Sequence, residues 1–325
     1  MVTNMVADVS AHAPNSDNYE KRVHLRFLVL LTSINIWSRA STDQGKVSLS
    51  GAKLSESFTN GIFIGPKSSL AHDVSTLPRV GSAWHEPLMN TLKDKLASGA
   101  VTRGLWQNLP GPELAELVAH AGFDWLVIDG EHGAWDPADI RARLIAAPDA
   151  VVRVPCDEAW ILKQALDLGA RTVLVPMVDT AEQAAVVVAA CRYPPAGTRG
   201  MGAFVARAAM YSLDPGYITH ANDDVSVWVQ AESRAALDNL EAICAVPGVD
   251  CVFLGPADLA ADMGTDASDP AVHAALTDAI ARIAATGTPP GIFAADPDRW
   301  IAEGARVVSM GSDAMVLAQG LRALL

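Results

Sequence analysis

From Thr102 to the end of the chain, short apolar runs alternate with stretches whose apolar residues recur at helical spacing. The runs at 102–107, 123–129, 150–154, 171–176, 225–231, 250–255, 289–293 and 305–310 read as buried strands. The joint from helix to strand repeats. ALDLGARTVLVP turns at Gly169, IAEGARVVSMG turns at Gly304, and the helix running to His120 stops at Gly122. Glycine at such a joint supplies the left-handed residue that ends a helix. Pro112 opens one helix, Asp136-Pro137 and Asp296-Pro297 are N-cap and first-turn pairs, and Thr180-x-x-Gln183 is a capping box. Eight strands alternating with helices over 86–325 predict a (β/α)8 TIM-type barrel. An open doubly wound sheet is the competing architecture, but no glycine-rich dinucleotide fingerprint follows the first strand.

Before Glu86 the pattern is different. Leu88, Leu92 and Leu96 already belong to an amphipathic helix, whereas residues 1–85 show no sustained period. The apolar run from Phe27 to Leu31 follows Lys21, Arg22 and Arg26, which begin too far into the chain for a secretory leader, and no small-residue cleavage site follows. Charge changes at the same place. Residues 1–85 carry 8 basic and 6 acidic residues; the remainder carries 16 and 31. Residues 1–85 therefore read as a poorly ordered extension, or as a stretch translated from a wrongly chosen start, and 86–325 as the barrel domain.

A net charge of −13 argues against a nucleic-acid partner. No run is long and apolar enough for a membrane span. Cys156, Cys191, Cys244 and Cys251 lack the spacing of zinc ligands or redox pairs, so they read as reduced packing residues of a cytoplasmic protein.

Candidate chemistry gathers where the predicted strands end. One strand ends in Gln230-Ala-Glu232 and the next in Gly255-Pro256-Ala257-Asp258. Parallel neighbours would bring both carboxylates to the carboxyl edge of the sheet, where ligands bind in such folds. Two hard oxygen ligands with room for water and substrate suit Mg²⁺ or Mn²⁺. Either acid alone would also serve as a helix N-cap. The second strand ends in Asp129-Gly-Glu131-His132, a histidine beside carboxylates that suits a general base, or else a loop histidine in water. Arg153 closes an otherwise apolar strand; it is either a buried salt bridge or a cation aimed at a developing oxyanion. The long CRYPPAGTRGMG segment from Cys191 to Gly202 reads as a loop over the barrel mouth. Arg199 and Arg207 are then candidates for a substrate carboxylate, or partners of nearby acids.

QAE followed by GPADL, with DGEH, LDLGA, YPPAGTRG and a final GSD in order, resembles the HpcH/HpaI class II pyruvate-dependent aldolases over about residues 87–325. The resemblance implies a barrel of the phosphoenolpyruvate/pyruvate type. It implies metal-dependent cleavage of a 4-hydroxy-2-oxo acid to pyruvate and an aldehyde through the pyruvate enolate. Glu232 and Asp258 would hold Mg²⁺ or Mn²⁺, with Co²⁺ a further candidate. His132 would be the acid/base with Asp129 as its carboxylate partner, and Arg153 would stabilise the enolate. Gln230, the Gly255-Pro256-Ala257 turn and Arg207 would contact substrate. Lys163 is the only lysine after Lys95 and falls in a helix, which disfavours a Schiff base. A CoA-ester lyase, a 2-oxo acid decarboxylase and a non-catalytic barrel binding small acids are the alternatives. Subunits in the family exchange a C-terminal helix, often as hexamers, and the apolar stretch from Ala314 to Leu325 fits a homo-oligomer.

A chain beginning at about Glu86 is expected to fold and turn over substrate as the full chain does. Circular dichroism and an activity assay on the truncated protein check this; insoluble or inactive protein would show that the first 85 residues are needed.

Overall fold

The computed structural model describes residues 42–43, 46–47, 91–293 and 296–325. The chain divides into two units, Met1–Trp84 and His85–Leu325. In the first, Thr42–Asp43 and Lys46–Val47 pair as a short antiparallel ladder. The remaining expectations for residues 1–85, and Leu88, lie outside the described residues.

In the second unit, eight strands close a parallel barrel in sequence order. They are β1 (Thr102–Gln107), β2 (Trp125–Asp129), β3 (Val151–Arg153), β4 (Thr172–Val175), β5 (Ser226–Ala231), β6 (Val249–Leu254), β7 (Pro290–Phe293) and β8 (Val307–Ser312). Helix α1 (Thr91–Ala97) precedes them, and α2 (Pro112–His120), α3 (Pro137–Ala146), α4 (Ala159–Asp167) and α5 (Ala181–Cys191) follow the first four. The rest are α6 (Tyr217–Asp224), α7 (Arg234–Asp238), α8 (Leu240–Cys244), α9 (Pro256–Asp262), α10 (Pro270–Ala285), α11 (Pro297–Ala302) and α12 (Asp313–Arg322). The TIM-type barrel read from the apolar pattern is the observed fold, and every strand falls where an apolar run predicts one.

Local signals act as their chemistry requires. Gly122, Gly169 and Gly304 all have positive φ at helix ends. Asp136 and Asp296 accept from the N–H groups of Ala138 and Arg299 as N-caps, each followed by proline. Thr180 accepts from the Gln183 N–H, but the Gln183 side chain bonds back to the N–H of Asp179, one residue earlier than a capping box requires.

Large aromatic rings pack inside the barrel. Trp125 meets Trp106 and Trp228 edge-on, with ring centroids 6.5 and 5.8 Å apart. Gly104 on β1 makes room for this, since a Cβ there would fall 2.0 Å from the Trp125 ring. Leu92 and Leu96 of α1 join the same buried cluster. Lys93 ties α1 down by donating to the carbonyls of Asp223 and Val225 just before β5. Helix α1 thus closes the amino end of the barrel and leaves the carboxyl end open. A second apolar layer, including Ile140, Leu162, Val187 and Ile280, fills the space between sheet and helices.

One expected site residue lies away from the cavity. Residues 192–225 join the end of α5 to the start of β5, which places them on the amino face of the barrel, away from the mouth. Arg207 donates to the carbonyls of Leu144 and Leu168, at the C-terminal ends of α3 and α4. Arg199 is buried against Asp167 at 2.7 Å, with its guanidinium 4.4 Å from the Tyr193 ring centroid. Neither arginine lines the cavity at the strands' carboxyl ends. Loop length and composition do not tell which end of a barrel a loop covers; connectivity does.

Candidate active site

A cavity of about 540 Å³ opens at the carboxyl ends of the strands. Asp129, His132, Arg153, Gln230 and the whole Gly255-Pro256-Ala257-Asp258 turn line it, so most of the expected site residues share one space. Glu232 is buried beside them, bonded to Gln230. Arg207 alone is elsewhere.

The centre of the site is an ion pair. Arg153 Nε and Nη2 donate to Asp129 Oδ1 and Oδ2 at 2.9 and 2.7 Å, a bidentate arrangement between the ends of β2 and β3. Register puts these residues opposite one another. The remaining guanidinium nitrogen, Nη1, lies 2.6 Å from Glu131 Oε2 and 3.5 Å from Gln230 Oε1. Trp106 lies beneath, its ring centroid 5.2 Å from the guanidinium carbon. Burial works to raise the Asp129 pKa, but Arg153 and the N–H groups of Glu131 and His132 hold it below the usual carboxylate range. Glu131 goes the other way: burial raises it, and Arg153 and His132 only partly offset that.

Asp129 also shapes the turn that carries His132. Its Oδ1 accepts from the main-chain N–H groups of Glu131 and His132, and its Oδ2 accepts from Asn108 Nδ2. These bonds and the Arg153 pair occupy both oxygens. The expected contact from Asp129 to the His132 ring is absent among the described residues, because the stronger guanidinium partner has taken the carboxylate. Asp129 fixes His132 through the main chain instead. The turn needs its glycines: a Cβ on Gly130 would fall 2.7 Å from the Arg153 carbonyl, and one on Gly133 2.3 Å from the Asp129 carbonyl.

Glu232 and Asp258 follow neighbouring parallel strands, with Ala231 in register with Leu254. Neither is a helix cap. Ser233 caps α7, and Gly255 holds the N-cap position of α9. Glu232 Oε1 accepts the Met177 N–H at 2.9 Å and Oε2 accepts Gln230 Nε2 at 2.7 Å. Met177 has φ of 55°, a strained conformation for a non-glycine residue at the end of β4. Gly255 leaves room for the carboxylate, because a Cβ there would lie 2.3 Å from Glu232 Oε2. Burial pushes Glu232 up to about 7, and the charges of Asp258 and Glu131 add to this against the Met177 N–H and Arg153.

The electrostatics fit a cation. Glu131, Glu232, Asp129 and Asp258 face one buried arginine that is already paired with two of them. Among the described residues, no three carboxylate, imidazole or thiolate side chains form a protein-only metal cage. Mg²⁺-type sites commonly use one or two carboxylates and complete their shell with water and substrate oxygens. Glu232 and Asp258 match that donor set.

Several contributing residues carried little signal. Asn108 follows β1 and reaches Asp129; its own N–H and that of Leu109 are held by the Asp313 carboxylate at 3.0 and 3.1 Å. Asp313, in the Gly311-Ser312-Asp313 turn, therefore ties β8 to β1. A polar residue just past the first strand was the only sign of Asn108. Nothing in the sequence marked the Met177 N–H, which acts through backbone conformation.

The profile of the HpcH/HpaI aldolase/citrate lyase family matches residues 102–320. The hydroxypyruvate/pyruvate aldolase of Deinococcus radiodurans is 47% identical over 251 residues, covering 74% of this chain and 90% of that protein. The 4-hydroxy-2-oxo-heptane-1,7-dioate aldolase of Salmonella arizonae is 46% identical and covers 73% and 94%. The crystal structure of an HpcH/HpaI aldolase/citrate lyase family protein from Burkholderia cenocepacia superposes with a TM-score of 0.70 at 39% identity, over 72% of this chain and 97% of that one. The barrel, the ordered motifs at its carboxyl edge and these matches agree: the chain belongs to the HpcH/HpaI aldolase/citrate lyase family, a family of carbon–carbon lyases.

Proposed function

We propose that the chain cleaves a 4-hydroxy-2-oxo acid to pyruvate and an aldehyde, using Mg²⁺ or Mn²⁺ held by Glu232 and Asp258. The observation that carries this reading is the arrangement at one cavity of His132, the Arg153 cation and a coupled carboxylate pair that its own surroundings leave short of positive charge. Bound there, a divalent cation would supply Lewis acidity toward the carboxylate and 2-oxo oxygens of the substrate.

The side chains divide the remaining work. His132 removes the proton of the 4-hydroxyl. As the C3–C4 bond breaks, C4 becomes the aldehyde carbonyl and the electron pair moves to the 2-oxo oxygen, giving the enolate. Arg153 Nη1 is held by Glu131 at 2.6 Å, and its second contact, to Gln230 Oε1 at 3.5 Å, is the loosest of the guanidinium's bonds. Exchanging that bond for one to the enolate oxygen stabilises the charge as it develops. Protonation at C3 from water releases pyruvate, and His132 returns its proton to solvent. The N–H groups of Ala257 and Asp258, in the first turn of α9, are free of helical partners and suit the pyruvate carboxylate. Lys163 lies exposed on α4, so no strand presents a lysine to the mouth.

The other partners follow from the surface. On α12 only Asp313 is buried, while Met315, Val316, Leu317 and Leu321 are all about half exposed or more. A second copy of the chain is the proposed cover, as part of a hexamer or other homo-oligomer. The four cysteines are free thiols, and among the described residues no helix is long and apolar enough to cross a membrane. The cytoplasm is the proposed compartment.

Light scattering at micromolar concentration is expected to report an oligomer; a monomer would contradict the α12 reading. Enolisation alone is followed by exchange of the pyruvate methyl protons in D₂O. Arg153→Ala is expected to lose both exchange and cleavage by about 10²–10³. Arg153→Lys, which keeps the charge but not the bidentate pair, should recover part of both. His132→Ala should lose cleavage by roughly 10²–10⁴ while keeping relatively more exchange. Wild-type cleavage by His132→Ala would move the base elsewhere.

Glu232 also links metal binding to stability. Its folded pKa of about 7 lies above the ordinary 4.5, so folding takes up a proton. Stability from this group is present at low pH and is lost as pH rises through about 7. Without metal, Glu232→Gln should gain on wild type in thermal melts at about pH 8 relative to about pH 5.5. With Mn²⁺ the wild type should gain more than the variant. Equal Mn²⁺ shifts in both proteins would remove Glu232 from the metal site.

A further inference from the structure

Gly311-Ser312-Asp313 closes β8 and opens α12. No step of the enolisation uses these residues, yet their bonds run toward the site. Strands β8 and β1 pair in step from Val307 opposite Thr102 to Ser309 opposite Gly104, but Ser312 then stands opposite Trp106. One extra residue on β8 makes a bulge. Gly311 carries it with φ of 127°. A Cβ there would meet nothing within 4 Å, so the backbone conformation alone calls for glycine. Ser312 caps α12 by accepting the Met315 N–H. Asp313 is thereby released from capping. Its buried carboxylate takes the N–H groups of Asn108 and Leu109, just past the end of β1. Both bonds are charge-assisted, and together they fix the main chain at 108.

Asn108 in turn meets the site at two points. Its Nδ2 donates to Asp129 Oδ2, which also settles the facing of the amide, since a carboxylate held ionised cannot donate. Its carbonyl oxygen lies 3.3 Å from where a Cβ on Gly133 would stand, so the main chain at 108 packs against the turn beyond His132. Asp129 Oδ1 is pinned by main-chain N–H groups of that turn. At Oδ2 the partners among the described residues are Arg153 Nη2 and Asn108 Nδ2. The guanidinium moves with the carboxylate that it grips. Asn108 is therefore what ties the Oδ2 edge, and with it the tilt of the guanidinium, to a fixed strand.

We propose that Asn108 and Asp313 are positioning residues for Arg153. Asp313 sets the main chain at 108, Asn108 sets the plane of the Asp129 carboxylate, and that plane aims Arg153 Nη1 at the enolate oxygen. The proposal rests on the aldolase reading above. Neither residue has to touch substrate. Their effect falls on the developing oxyanion, which a misdirected donor stabilises poorly. An interaction made only as that charge develops appears in kcat and leaves KM nearly unchanged.

The test is exchange of the pyruvate methyl protons in D₂O by the full chain with Mn²⁺, read as kcat and KM for pyruvate, with a thermal melt of each variant. Asn108→Ala is expected to lose about 10–100-fold in kcat and to keep KM within about twofold. Asp313→Asn keeps the size of the side chain and the Ser312 cap, and should lose less in the same direction. The double variant should fall well short of the product of the two losses, because one residue acts through the other. Asn108→Asp can donate to Asp129 only while its new carboxyl holds a proton. Its kcat relative to wild type should therefore rise as the pH falls. Asp129, His132, Arg153 and Asp313 face that position in both proteins, so the ratio isolates the new group, and a merely structural residue would leave it flat. Wild-type kcat in Asn108→Ala, or a loss confined to KM, overturns the role of Asn108. A double variant at the full product overturns the link from Asp313. If Asn108→Ala does not fold, Asn108→Asp decides, and a ratio independent of pH overturns the proposal. In each of these outcomes exchange by the wild type leaves the aldolase reading standing; its absence from the wild type overturns both.

Discussion

Arg153 and Asp129 meet where β2 and β3 end, and the bonds of the site radiate from that contact. One carboxylate binds a guanidinium along two edges, holds the main chain that presents His132, and takes a bond from Asn108. The guanidinium reaches on to Glu131 and Gln230, and Gln230 reaches Glu232. Asp129, Glu131, Arg153, Gln230 and Glu232 are thus held, with the main chain of His132, in one connected network. Such a pair is expensive to bury and gains its worth from good geometry and satisfied neighbours. Breaking it would leave a buried charge uncompensated, at a cost of about 3–5 kcal/mol in comparable cases. Losing either member would therefore disturb position and chemistry together.

That network needs a rigid floor, which the barrel's apolar interior provides. Trp106 supports Arg153 from below and packs against Trp125, Phe253 and Phe293. Gly104 makes room for these large rings, and Leu92 and Leu96 of α1 pack against them. The two ends of the barrel are consequently specialised. Apolar side chains and main-chain bonds close the amino end, while the carboxyl end gathers charge.

Most of the fold was legible because its signals are local. Strand runs, cap residues and joint glycines each act within a few residues of themselves, and they agree with one another. The site was legible where chemistry sits at a strand end, as with Asp129, Arg153, Glu232 and Asp258. It was less legible where spatial arrangement decides. Arg207 looked like a substrate ligand because its loop is long, yet it caps two helix ends on the opposite face. Asp129 looked like a partner for the His132 ring, yet an arginine from the next strand outcompetes that ring. The Met177 N–H left no mark at all, since its role depends on a left-handed backbone at a residue that could take many side chains.

The balance of charge explains why the site keeps so much of its strain. Glu232 is buried, pushed up to about 7, and bonded among the described residues to one main-chain N–H and one amide. Met177 spends a disfavoured conformation to provide that N–H, and Gly255 gives up a side chain to admit the carboxylate. A cation held by Glu232 and Asp258, as proposed, would offset the repulsion among these carboxylates. Local strain of this kind persists where function requires it and the surrounding structure is strong enough to impose it. The aromatic interior beneath is what makes the imposition affordable, and the ion pair of Arg153 and Asp129 is the joint between the two.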